Sequence, residues 1–180
     1  VVHKLPDIFF VVATENPVER EGTYPLPESE KDRFMIRLKM GYPSPSEERG
    51  MMDMQRTGHP IRAILPVETP ENIVRLREEL ASVAMDETVK QFIVSLVNAT
   101  RESRDLALGA SPRATLALFK LSRALAGLSG RNYVLPDDVK QLAVPVLAHR
   151  VLMDPVAQMN GLTPEAVVES LLEKVPVPIP

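Results

Sequence analysis

The stretch Gly109-Ala110-Ser111-Pro112-Arg113-Ala114 decides how the second half of this 180-residue chain folds. Its serine is a good helix N-cap, and the proline after it suits the first helical position, where a backbone N–H has no intrahelical partner. The stretch therefore predicts a helix that runs to about Leu128, where Gly127 and Gly130 can close it.

On both sides of this stretch, apolar residues recur at intervals of three and four, as they do in helices that bury one face. They indicate two helices before it and one after it, which starts near Pro136 and should be kinked by Pro145. A shorter fifth helix is indicated at Leu162-Thr163-Pro164. The stripes of the flanking helices are Ile73, Leu76, Leu80 and Val83; Val89, Phe92, Ile93, Leu96 and Val97; and Val139, Leu142, Ala143, Val146, Leu147 and Val151. We expect the first four helices to bundle around a common core.

The first part of the chain has a different texture. Residues 8–13 are apolar at every position and lead into Thr14-Glu15-Asn16-Pro17, which is typical of a parallel strand buried on both faces. Residues 34–40 place Phe34, Ile36, Leu38 and Met40 on one face and Arg37 and Lys39 on the other, which predicts a half-exposed or edge strand. Between this strand and the bundle, residues 46–54 predict a short helix. The fold class predicted from these patterns is α/β followed by all-α.

Composition limits the classes of function. The net charge of -3 gives no general attraction to nucleic acid, and the absence of cysteine excludes disulfides and thiolate metal sites. The longest apolar run, residues 8–13, is far shorter than a membrane span requires. We expect a cytoplasmic protein without membrane or nucleic-acid partners. The first residues lack an initiator methionine and a signal-peptide layout, so we expect a chain that is truncated at its N-terminus.

Most catalytic motifs are missing from the sequence. The three histidines share no metal-ligand spacing, and neither HExxH nor GxSxG occurs, so no metal site is predicted. No glycine is followed by lysine, so the phosphate-binding P-loop GxxxxGK[ST] is absent. The acidic string Val83-Ala84-Met85-Asp86-Glu87 resembles a Walker B strand, but Asp86 is better explained as the N-cap of the next helix.

Several segments, taken in order, resemble the C-terminal part of the MoxR family of AAA+ ATPases. They are Val11-Val12-Ala13-Thr14-Glu15-Asn16-Pro17, Glu21-Gly22-Thr23-Tyr24-Pro25-Leu26-Pro27-Glu28, Lys31-Asp32-Arg33-Phe34, Gly109-Ala110-Ser111-Pro112-Arg113-Ala114, Gly130-Arg131 and Val146-Leu147-Ala148-His149-Arg150. The resemblance implies an incomplete AAA+ P-loop core of trailing strands followed by a helical lid. It also implies a hexameric ring that binds ATP and Mg²⁺ at subunit boundaries, a chaperone-like remodelling activity, and partners with von Willebrand factor A domains.

The resemblance also implies roles for three residues. Asn16 corresponds to sensor 1, Arg33 to the arginine finger offered to a neighbouring subunit, and Arg113 to sensor 2 on the lid of the subunit that holds the nucleotide. Asn16 would orient the attacking water, and Arg33 would stabilise transition-state charge. Because this chain lacks the P-loop, we expect it to be inactive alone and the Mg²⁺ ligands to lie in the missing N-terminal part.

Simpler interpretations of these residues remain open. Asn16 before a proline is a common turn former, and Arg33 is adequately explained as a surface arginine paired with Asp32 or Glu30. Arg113 is unusual because a cation in the first turn opposes the helix dipole and requires an anion nearby, either a phosphate or Asp105.

The predicted layout has four parts: residues 1–56 as the end of the nucleotide-binding subdomain, 57–70 as a linker, 71–152 as the lid, and 153–180 as a C-terminal helix with a proline-rich tail. The alternative function is a non-enzymatic helical interaction module. Another AAA+ branch, such as magnesium chelatase or the replicative helicases, is a third hypothesis.

Overall fold

A computed structural model describes residues 2–6, 8–15, 26–56 and 58–178 of the chain. The chain divides into two compact units, Val1–Phe10 with Leu38–Arg77 and Val11–Arg37 with Glu78–Pro180. In chain order the elements are α1 (Glu28–Lys31), α2 (Pro45–Gln55), a 3₁₀ turn (Pro60–Ala63), α3 (Pro70–Ala81), α4 (Glu87–Glu102), β1 (Leu106–Leu108), α5 (Pro112–Leu128), α6 (Pro136–Leu147), β2 (Leu152–Met153), α7 (Pro155–Met159) and α8 (Pro164–Lys174). None of the helices in the described residues is both long and apolar enough to cross a bilayer.

The second unit contains the hydrophobic core, which lies between α4, α5, α6 and α8. The predicted apolar stripes of α4 and α6 supply most of it, and α8 adds its own buried face. The largest side chains with an exposed fraction below 2% are Ile93, Leu96, Val97, Leu118, Val139, Val146, Leu147 and Val168, together with the polar Thr100 and Ser122. The predicted bundle is therefore confirmed for α4, α5 and α6, and α8 completes it.

The helix starts follow the capping residues in the sequence. Ser44 caps α2 with a capping box, Asp86 caps α4, Ser111 caps α5 and Thr163 caps α8. Each side chain accepts a hydrogen bond from a backbone N–H of the first turn, which would otherwise have no partner. The predicted helices at residues 46–54, 112–128 and after Thr163 are therefore confirmed to within one or two residues.

The two strands predicted in the first part of the chain are not formed. Residues 8–13 and 34–40 have no regular secondary structure, and Phe10 and Val12 are 83% and 75% exposed. A strand requires a hydrogen-bonded neighbour, and the described residues provide none at these positions. Within the part of the chain that the structure describes, the strands that form are β1 and β2, which pair antiparallel through Leu106 and Met153. They are too short to leave a sequence pattern.

The first predicted helical stripe is buried only at its end. No residue of α3 is buried, and Leu76 is 39% exposed, whereas Val83, two residues beyond α3, is 7% exposed. Gly127 lies inside α5 and does not close it. Its missing Cβ makes room for Leu80, because a Cβ there would lie 2.3 Å from Leu80 Cδ2. Gly130, which follows the helix with φ +74, is the residue that ends it.

Candidate functional site

The loop before α5 is held against the end of α4 by backbone and side-chain contacts. Gly109 approaches α4 so closely that an added Cβ would lie 2.6 Å from Arg101 Cα and N. Thr100 Oγ1 accepts a hydrogen bond from Ala110 N at 2.9 Å, and Arg101 Nε donates to the Ala110 carbonyl at 2.9 Å. These contacts fix where α5 begins and therefore where the side chains of its first turn project.

At the start of α5, Ser111 and Arg113 both contact the carboxylate of Asp32. Ser111 Oγ accepts from the Arg113 N–H as the helix cap and donates to Asp32, 3.0 Å from each carboxylate oxygen. Arg113 Nη1 lies 3.3 Å from Asp32 Oδ2, and its side chain is 54% exposed. A carboxylate at a helix N-terminus is favourable because the helix dipole is positive there. Asp32 therefore offsets the unfavourable position of Arg113.

A second, buried arginine approaches Asp32 from the end of α6. Arg150 Nε lies 3.3 Å from Asp32 Oδ1, which is an ion-pair distance without hydrogen-bond alignment. The Arg150 guanidinium donates to the backbone carbonyls of Phe34 and Met35 and to that of Val146. Burial lowers the pKa of Arg150, and Asp32 opposes that change. Arginine nevertheless stays protonated in proteins, so this is a buried cation paired with a half-buried carboxylate.

His149 lies beside Arg150 and is also buried. Its Nε2 is 3.1 Å from the Phe34 carbonyl oxygen, which can only accept, so Nε2 carries the proton. Burial lowers the pKa of His149 below its ordinary value, and Arg150 adds to the effect by charge repulsion. Burial therefore favours the neutral form of the ring, which serves as a hydrogen-bond donor.

The three site residues predicted from the sequence have different surroundings in the structure, and one of them is not described. Asn16 lies outside the described residues, so its assignment stays a prediction. Arg33 is exposed, and among the described residues its side chain forms no hydrogen bond or ion pair. The suggested pairing of Arg33 with Asp32 or Glu30 is therefore not formed, because Asp32 binds Ser111 and the two other arginines instead.

Arg113 has an anionic partner, as its position required, but that partner is Asp32 and not Asp105. Sequence reasoning missed Asp32, His149 and Arg150 as members of one cluster. All three stood inside motifs that carried the family resemblance, yet spacing alone could not bring residue 32 next to residue 150. The available signal was the polar pair His149-Arg150, which directly follows residues 142–148, none of which is polar.

The Walker B-like string has the structural role that its capping pattern predicted. Asp86 Oδ1 accepts from Thr88 N at 2.8 Å and from Thr88 Oγ1 at 2.7 Å, and these hydrogen bonds lower the pKa of Asp86. Glu87 pairs with Lys90 at the surface. Within the described ranges no group of three or more acidic or histidine side chains could hold a metal ion.

Comparison with known proteins finds two family models that match segments of the chain. Residues 98–171 match the family model of the AAA lid domain, and residues 1–36 match that of the ATPase family associated with various cellular activities. The chain is 44% identical to the uncharacterised protein YeaC of Bacillus subtilis, covering 98% of this chain and 55% of YeaC. It is 37% identical to the chaperone MoxR1 of Mycobacterium tuberculosis, covering 97% of this chain and 48% of MoxR1.

Further matches agree with these. Protein MoxR of Paracoccus denitrificans is 30% identical over 93% of this chain and 56% of its own length. A crystallised protein from Cytophaga hutchinsonii, assigned as an ATPase, superposes with a TM-score of 0.90 at 32% identity, covering 98% of this chain and 56% of that one. The chain thus spans about half the length of the curated relatives it matches. On these matches, the chain belongs to the MoxR family of AAA+ ATPases, whose C-terminal portion it resembles.

Proposed function

We propose that this chain is the part of an ATP-driven remodelling ATPase that carries the arginines acting on the nucleotide. Arg33 is the arginine finger, Arg113 is sensor 2 and Asn16 is sensor 1. The complete protein binds ATP with Mg²⁺ at the subunit boundaries of a cytoplasmic hexameric ring and acts as a chaperone on partners with von Willebrand factor A domains. The name of the MoxR1 relative, which is called a chaperone, supports this activity.

The observation that carries the proposal is the ion pair between Asp32 and Arg113. Its carboxylate pairs with Arg113, and Arg33 is the next residue in the chain, with its Cα about 3.8 Å away. The backbone that carries Arg33 therefore lies next to the carboxylate that binds Arg113, and both arginine side chains are exposed. A helix N-terminus with adjacent arginines is a favourable environment for a phosphate.

The state of Arg113 also fits a residue that changes partner. Its contact with Asp32 is long for a charge-assisted hydrogen bond, and more than half of the side chain is exposed, so the pair contributes little to stability. A γ-phosphate carries more negative charge than one carboxylate and would compete well for this guanidinium. Asp32 would then hold Arg113 near its working position when no nucleotide is bound.

This geometry supports an alternative to one expectation about the ring, which itself stays a prediction. The family resemblance implied that Arg33 serves a neighbour's nucleotide while Arg113 serves the nucleotide of its own subunit. Because Asp32 binds Arg113 and directly precedes Arg33 in the chain, we propose that both arginines act on the same nucleotide. If Arg33 acts in trans, Arg113 acts in trans as well.

Mixing subunits of the full-length ATPase tests the assignment. Arg33→Ala and Arg113→Ala subunits should each lose turnover, with Arg33→Ala reducing kcat by on the order of 10³-fold. An arginine variant keeps its P-loop, and a subunit that lacks the P-loop lysine keeps both arginines. Each arginine variant should therefore recover activity when mixed with P-loop-deficient subunits, because some sites then combine an intact P-loop with a neighbour that carries both arginines. Mixing Arg33→Ala with Arg113→Ala subunits should restore nothing, because every site would lack one arginine.

The opposite results would refute the shared site. If Arg113 acts on its own subunit's nucleotide, mixing Arg113→Ala with P-loop-deficient subunits restores nothing, whereas mixing it with Arg33→Ala restores activity. Arg104→Ala is a matched control, because Arg104 is also an exposed arginine without a hydrogen bond or ion pair to another described residue. This variant should turn over like the wild type.

A further inference from the structure

The segment Asp32–Arg37, which we call the finger segment because it contains Arg33, is bound along its length to the end of α6. Arg150 contacts Asp32 and donates to the carbonyls of Phe34 and Met35, and His149 Nε2–H donates to the Phe34 carbonyl. His149 and Arg150 lie two and three residues beyond Leu147, the last residue of α6. The finger segment has no regular secondary structure beyond α1, so these contacts supply the hydrogen bonds that a helix or sheet would otherwise provide.

The far end of the finger segment is attached to α6 and to α8. The Arg37 N–H donates to the Pro145 carbonyl at 3.0 Å. The Arg37 guanidinium lies 2.7 Å from Glu165 Oε1 on α8. The peptide on both sides of Arg33 is therefore fixed to the bundle, whereas the Arg33 side chain itself is exposed.

Burying the Arg150 guanidinium costs free energy, which its contacts must offset. Its side chain is only 2% exposed, and a buried charge is tolerated only when a partner charge and several hydrogen bonds compensate its lost hydration. The planar guanidinium reaches Asp32 on one side and backbone carbonyls on another, which the single ammonium of a lysine cannot do. The hydrophobic core that α6 forms with α5 and α8 does not itself require a charge there.

We propose that Arg150 is the positioning residue of Arg33. By binding Asp32 and the carbonyls of Phe34 and Met35, it holds the finger segment at one orientation relative to the helical bundle. This inference rests on the proposed role of Arg33 as arginine finger. Because Asp32 also binds Ser111 and Arg113 at the start of α5, any rotation of the bundle carries both nucleotide-facing arginines together.

A double-mutant cycle in the full-length ATPase tests the coupling. Arg150→Lys should lower kcat by about 10- to 100-fold, which is the effect of misplacing a reacting group by about 1 Å. The KM for ATP should change by less than about two-fold, since Arg150 itself does not touch the nucleotide. In an Arg33→Ala background, Arg150→Lys should have almost no further effect, because there is no finger left to position.

Arg131→Lys is the matched control. Arg131 forms a bidentate, partly buried pair with Asp138 in the same bundle but does not contact the finger segment. The Arg131→Lys variant should have a lower thermal stability, while its kcat should stay within about two-fold of the wild-type value. Should Arg150→Lys not fold, Glu165→Gln loosens the other end of the finger segment at a more exposed site, and its smaller loss of kcat should also vanish in the Arg33→Ala background.

Hydrogen exchange separates this inference from the proposed function. The Arg37 amide, which binds the Pro145 carbonyl, should exchange at least about ten-fold faster in Arg150→Lys and unchanged in Arg131→Lys. Unchanged exchange, or equal losses of kcat with and without Arg33, would overturn the positioning role. Full turnover of Arg33→Ala would instead refute the finger assignment. The contribution of Arg150 to turnover through Arg33 would then be refuted too, whatever the exchange shows.

Discussion

Gly109→Ala should destabilise the helical bundle, although alanine is the smallest possible addition. The new Cβ would lie 2.6 Å from Arg101 Cα and N and 2.7 Å from Thr100 C, all of them backbone atoms of α4. Real Cβ contacts below 3.0 Å essentially do not occur, and helix backbone cannot rotate away as a side chain would. The loop before α5 must therefore move away from α4.

The size of the effect follows from what that movement breaks. Overpacking of this kind costs about 1–3 kcal/mol. The shift would also weaken the hydrogen bond from the Ala110 N–H to Thr100 Oγ1, and an unsatisfied buried N–H costs about 1–3 kcal/mol. Since both penalties come from one displacement, we expect a total of about 3 kcal/mol, not the larger sum. For a domain of this size that corresponds to a Tm lower by about 10 °C.

Urea denaturation of the 180-residue chain, followed by circular dichroism at 222 nm, measures this change. Gly50→Ala is the matched control, because Gly50 lies within α2 and an added Cβ there meets nothing within 4 Å. That variant should be neutral or more stable by up to about 1 kcal/mol, as expected for alanine in a helix. If the free energy of unfolding of Gly109→Ala lies within about 0.5 kcal/mol of the wild-type value, the close approach of the loop to α4 is wrong.

Three further predictions concern pH, local stability and nucleotide binding. Burial opposes the charge of Asp138, but hydrogen bonds from Arg131 and the Leu135 N–H hold the pKa of its carboxyl below the ordinary value. Its stabilising effect is therefore complete above the unfolded pKa of about 4 and is lost as pH falls through the lower folded pKa, so Asp138→Asn should flatten the acid part of a stability–pH profile. Hydrogen exchange should show strong protection in α4, α5 and α6 and weak protection in residues 8–13, and equal protection would contradict the lack of strand pairing there. Calorimetric titration of the 180-residue chain with ATP and Mg²⁺ should show no binding, because its sequence has no P-loop, and micromolar affinity would refute this.

Local sequence determined the helices. Ser111, Asp86 and Thr163 cap their helices where the pattern predicted, because a cap acts on N–H groups only two or three residues away. The apolar stripes of α4 and α6 are buried as their spacing predicted, since a helix brings such residues to one face without help from the rest of the chain. The motifs around Arg33 and Arg113 were likewise sufficient to indicate the family that the comparisons show.

The cluster around Asp32 could not be derived in this way, because its members are separated by about 80 and 120 residues and meet only through tertiary packing. For the same reason sequence suggested Asp105 as the partner of Arg113, whereas the fold brings Asp32 to it. The predicted strands failed on the same principle, since an apolar run acquires strand structure only where a neighbouring strand supplies hydrogen bonds. Sequence thus determined the interactions whose partners lie within one helical turn of each other. Tertiary structure alone decided which charges were buried together. The reason is that the free-energy cost of burying Arg150 is offset only by groups that the completed fold places around it.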